Sequence, residues 1–141
     1  MQHGTTRFLF LLLLILSTTP SFADDPKNFK EVMQRIEVNM SKLVGHIMKE
    51  EYADIIKISE HVANHEEPPL SHRLRIIAEL GTDFSNFKSH DDDVHINSVA
   101  MQEAAEKKDM DAVIASYGKT MQSCNNCHKK YRERVQKLDL K

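Results

Sequence analysis

The residues best able to do chemistry lie near the C-terminus, in the run Cys124-Asn125-Asn126-Cys127-His128, which holds both cysteines of the chain. A disulfide between them would close a very short loop, and the gain from cross-linking grows with loop length, so a structural staple is a poor use of this spacing. A thioredoxin-like redox pair calls for a strand-helix-strand setting, and no strand pattern is visible. A structural zinc site calls for a fourth ligand and usually a second clustered pair, whereas the other histidines are scattered. The remaining chemistry is haem attachment. Each thiol can add across one vinyl group of the macrocycle, the two-residue gap lets both sulfurs reach one edge, and His128 then supplies a neutral imidazole nitrogen as the proximal iron ligand.

The compartment of such a site and the elements that hold it can be read from the rest of the chain. Arg7 is followed by an apolar run from Phe8 to Leu16 and then by small and polar residues up to Ala23. The run is shorter than the roughly 20 residues of a membrane-spanning helix, and Ser21-Phe22-Ala23 suits a signal peptidase, so residues 1–23 are expected to be a signal peptide and the protein periplasmic. Residues 24–141, about 118 by subtraction, suit one domain. The formal charge of −2 becomes −3 once Arg7 is removed, which gives no basic field for nucleic acid or an anionic membrane.

Past the signal, the only glycines are Gly45, Gly81 and Gly118, and apolar residues recur at helical steps. Phe29, Val32, Met33, Ile36, Met40, Leu43, Val44 and Ile47 mark one long amphipathic helix. A second is expected from about Glu51 to His65, with Tyr52, Ile55, Ile56, Val62 and Ala63 inward, ending before Pro68-Pro69. Leu70 to His90 reads as a short helix and a packed crossover. A third bundle helix is expected to start near Asp91-Asp92-Asp93, where carboxylates suit the positive helix end, and to carry Ile96, Val99, Ala100 and Ala104. The last begins after Asp109 with a stripe through Met110, Val113, Ile114, Tyr117 and Met121. It continues through Cys124, His128, Tyr131 and Val135, which would put the motif on the buried face. The expected fold is all-α, an antiparallel four-helix bundle with covalently bound haem.

One attachment motif near the C-terminus of a helical bundle, here Cys124-Asn125-Asn126-Cys127-His128-Lys129-Lys130-Tyr131-Arg132, resembles the class II cytochromes c, meaning the cytochrome c′ group and its methionine-ligated low-spin relatives. The resemblance implies one haem c, and it places Arg132 beside the haem propionates, a role a permanently charged guanidinium can fill bidentately. It also implies that the first helix covers the far side of the iron. Low-spin members are similar to this chain at Met33 and again at Asn39-Met40, which makes Met33 the expected sixth ligand and Met40 the alternate; a histidine or no protein ligand stays open. His61 and His65, four apart, could hold a metal, but their polar neighbours read as a solvated face.

A methionine on iron implies an electron carrier cycling between Fe(III) and Fe(II), with transient redox partner proteins and small interfaces. An open position, with Val32 and Ile36 over the iron, implies instead a protein that binds nitric oxide or carbon monoxide. An enzyme is not expected, because the inward faces offer no polar acid or base. Members of the family often form dimers through their first two helices, which leaves a homodimer open.

Overall fold

The computed structural model describes residues 26–140, and the signal-peptide assignment to residues 1–23 lies outside them. Five α-helices follow in order: α1 (Phe29–Met48), α2 (Tyr52–Ala63), α3 (Leu70–Leu80), α4 (Phe84–Glu106) and α5 (Met110–Gln136). No strand occurs among the described residues. The fold is an all-α bundle of α1, α2, α4 and α5, with α3 in the crossover between α2 and α4.

Helix ends are set by local chemistry. Asn28 caps α1 by accepting a hydrogen bond from the Glu31 amide, and the Glu31 side chain in turn accepts from the Lys27 amide just before the cap, so one free amide of the first turn and one preceding it are satisfied. Asp109 caps α5 in the same way through the Ala112 amide. Pro68-Pro69 separates α2 from α3, and α3 stops at Gly81, whose φ of +55° and ψ of −126° a side chain would resist. A 3₁₀ turn, Gly81–Asp83, then leads into α4.

Helix α4 starts at Phe84, seven residues before the expected start at Asp91. The aromatic residues assigned to a crossover are its first two turns: Phe84 stacks on Phe87 at 6.0 Å, and Phe87 meets Tyr131 of α5 edge-on at 5.3 Å. The carboxylates expected at a helix start sit inside the helix, where Asp91 pairs with His65, just past the end of α2, at 3.2 Å and Asp92 pairs with Lys88.

The interior has two parts. The larger holds Met40 and Leu43 of α1, Ile55, Ile58 and Val62 of α2, Val94 and Met101 of α4 and Val113 of α5. The smaller joins Ile76 and Leu80 of α3 to Tyr131, Val135 and Leu140. Between α2, α4 and α5 the buried side chains are small and polar as well as apolar: Ser59, Ser98, Ser116, Thr120 and Ser123. Ser59, Thr120 and Ser123 each donate to the carbonyl one turn earlier, so their burial leaves no hydroxyl idle and brings the helix axes close.

This small-residue line corrects the expected face of α5. The buried stripe runs through Val113, Ser116, Thr120, Ser123, Tyr131 and Val135. It is turned by roughly one residue from the apolar line through Tyr117, Met121, Cys124 and His128. Ile114 and Met121 are consequently 52% and 45% exposed, and the motif sits on a flank of α5 rather than in the bundle centre. Val44 and Ile96, expected to face inward, are likewise exposed. α1 lies mainly along α2 and meets α5 only sparsely, so its outer apolar positions find no second helix.

Candidate functional site

Cys124 and Cys127 are free, half-buried thiols one helical turn apart on α5. They bridge the two parts of the interior: Cys124 packs against the larger cluster and Cys127 against the smaller. Burial raises the pKa of both, and for Cys127, with Cys124 and Asp91 adding their fields, it reaches about 11. Both therefore stay protonated at neutral pH. A redox cysteine reacts as the thiolate, so this environment disfavours the thiol–disulfide reading weighed above.

His128, the next residue, is exposed as a whole. Partial desolvation of its ring and the nearby charge of Arg132 still lower its pKa below the ordinary 6.5. At neutral pH the imidazole is uncharged, the form that can give a nitrogen lone pair to a metal. Arg132, one turn further on, is exposed, and its charge is felt at His128.

The first helix approaches this flank in a definite register. Tyr117 of α5 donates from its hydroxyl to the Met40 carbonyl of α1 at 3.4 Å, and the two helices run antiparallel in the bundle. Two turns forward from Tyr117 stands Cys124; two turns back from Met40 stands Met33. Counted from this contact, Met33 and Cys124 fall at matching positions along the two helices. Phe29 and Ile36 share the Met33 face, at −4 and +3 positions. Phe29 packs with the cluster that contains Cys127, and Ile36 with the cluster that contains Cys124. Met33 lies between them, half-buried and in neither cluster, whereas Met40 is 5% exposed and part of the larger one.

The other sequence candidates separate. His61 lines a polar groove between α1 and α2 with Arg35, Asn39 and Glu66, while His65 turns to Asp91, so the pair four apart forms no common site. Apolar patterning alone missed Asp83: its carboxylate accepts from Lys130 at 3.0 Å, Tyr131 at 3.2 Å and Arg134 at 3.4 Å. It thereby fixes the turn before α4 to the half of α5 that follows the motif. The only sequence signal was a lone acid two residues after a glycine, with three basic or phenolic partners on one helix far along the chain.

Residues 72–132 match the family model described as Cytochrome C′. Over that stretch the chain is similar to the cytochrome C′ family. The similarity supports a haem c-type cytochrome. The match starts in α3, takes in α4 and the motif on α5, and ends at Arg132; α1 with Met33 lies outside it. Neither a curated protein nor a solved structure matches the chain.

The residues of this chain fit the group that the matched family implies. Two thiols kept protonated, an uncharged imidazole beside them and an apolar flank formed by Tyr117 and the exposed Met121 stand where α1 and α5 make few contacts. A flat apolar ligand held from α5 and covered from α1 would bury that flank.

Proposed function

We propose that this protein is a periplasmic electron carrier that binds one haem through thioethers of Cys124 and Cys127, with His128 and Met33 as axial ligands. When bound, the haem supplies a one-electron Fe(III)/Fe(II) couple. The protein supplies an imidazole held by the adjacent thioether anchors, a thioether from the opposite helix and an apolar surround. Arg132 gives a fixed positive charge for the propionates.

The observation that carries this reading is the register of α1 on α5. Met33 falls at the position matching Cys124 and has no place in the packed core, while the rival Met40 is already core. Its neighbours Phe29, Val32 and Ile36 are apolar, and none can donate or accept a proton in catalysis, which supports a carrier over an enzyme. The leader-like residues 1–23 support export to the periplasm, where c-type attachment and free thiols are handled. Redox partners would dock transiently by the exposed His128 flank through small interfaces. Among the described residues no helix is long and apolar enough to cross a membrane.

The test is the absorption spectrum of the purified protein, ferric and ferrous, with and without carbon monoxide, beside a Met33→Ala variant. A low-spin spectrum with the methionine-to-ferric charge-transfer band, lost in the variant, is expected. A high-spin spectrum that shifts readily with carbon monoxide in the unmodified protein would replace the carrier reading with gas binding.

A further inference from the structure

A second cluster of ligating side chains stands away from Cys124 and His128, at the turn between α1 and α2. His46 lies in the last turn of α1; Glu51 immediately precedes α2 and Asp54 lies in its first turn. The His46 Nδ1 atom is 2.7 Å from Glu51 Oε2 and 3.8 Å from Asp54 Oδ2, and one donor atom from each of the three residues lies within 4.8 Å of the others. Among the described residues, His46 is the one side chain that pairs with either carboxylate. Two carboxylates therefore converge on a single ring nitrogen.

The backbone holds this arrangement. Glu50 takes a left-handed φ of +56°, which turns the chain so that the Glu51 amide donates to the His46 carbonyl at 3.0 Å. The residues that carry two of the donors are thus tied to each other directly, and Asp54 follows within one helical turn.

We propose that His46, Glu51 and Asp54 bind one zinc(II) ion. Ligands about 2.0–2.2 Å from zinc stand roughly 3.2–3.5 Å apart around a tetrahedron, so these donors need to move by about 1 Å or less to enclose the ion. One imidazole and two carboxylates neutralise a divalent charge and leave a fourth position for water. The nitrogen donor and the small ligand number suit zinc over calcium or magnesium, which prefer six or more oxygens. Binding ties the end of α1 to the start of α2 and stabilises the folded chain by mass action.

The test uses the haem-loaded protein, titrated with zinc(II) against a chromophoric chelator, with calcium(II) in parallel. One zinc per chain is expected, with affinity at least tenfold weaker in His46→Ala and in Glu51→Gln and unchanged in His61→Ala. The melting temperature is expected to rise with zinc in the unmodified protein and not in His46→Ala. Circular dichroism and the haem spectrum confirm that the variants are folded. Zinc uptake equal in all four proteins, no uptake by the unmodified protein, or a preference for calcium would overturn the assignment.

Discussion

Two methionines on one face of α1 hold different positions, and the difference lies in what each touches. Met40 is 5% exposed among Leu43, Ile55 and Val113; Met33, two turns earlier, is half-buried and belongs to neither cluster. Replacing Met40 with alanine leaves a cavity and is expected to cost about 2–5 kcal/mol of unfolding free energy in denaturant titrations, with the haem spectrum unchanged. A changed ligand spectrum in Met40→Ala would put the wrong methionine on the iron. The pattern of types and spacing singles out Cys124, Cys127 and His128, because a Cys-x-x-Cys-His run has few competing uses. It could not separate Met33 from Met40, since both fall on the same stripe and only the packing of neighbouring helices tells filler from a free side chain.

At the scale of elements, the helices were legible and their faces were not. Pro68-Pro69 and Asp109 mark ends that the chain alone displays, since α2 stops before the prolines and α5 begins right after Asp109. The buried line of α5 stayed hidden because it passes through Ser116, Thr120 and Ser123, which an apolar pattern counts as surface. The early start of α4 was hidden for a related reason: Phe84 and Phe87 are held by Tyr131, more than 40 residues away, and not by any local signal. Asp83 is the polar counterpart of that aromatic contact. The Tyr131 residue is 1% exposed, and its hydroxyl donates to Asp83, so Asp83→Ala leaves a buried donor unpaired. The expected cost is about 1–3 kcal/mol. Adding Tyr131→Phe to Asp83→Ala is expected to recover part of it, and a double-mutant cycle by urea unfolding measures the coupling; strict additivity would show that the two residues act separately.

Across the whole molecule, the bundle is closed between α2 and α4 partly by a titrating pair. His65 Nδ1 lies 3.1 Å from the Val62 carbonyl and Nε2 lies 3.2 Å from Asp91 Oδ1. Both partners only accept, so the bound form is the imidazolium. The hydrogen bond from His65 holds the Asp91 pKa below 3.8, and the Asp91 carboxylate holds the His65 pKa above 6.5. The signs follow from linkage. The His65 contribution is complete below pH 6.5 and is lost as the pH rises through its higher folded value; the Asp91 contribution is complete above pH 3.8 and is lost as the pH falls through its lower one. Melting temperature is therefore expected to decline as the pH rises from about 6.5 in the unmodified protein, and to decline less in His65→Gln. Parallel curves for the two proteins would remove the pair from the account.

The claim on which the rest depends is that Cys124 and Cys127 carry the haem, and the intact mass of the protein purified from an exporting, haem-attaching host tests it most directly. The account predicts the chain from Asp24 to Lys141 plus one haem, with the haem absent from a Cys124→Ser, Cys127→Ser double variant. A protein that holds its haem only by reversible binding, or whose unmodified mass shows two free thiols, would contradict it.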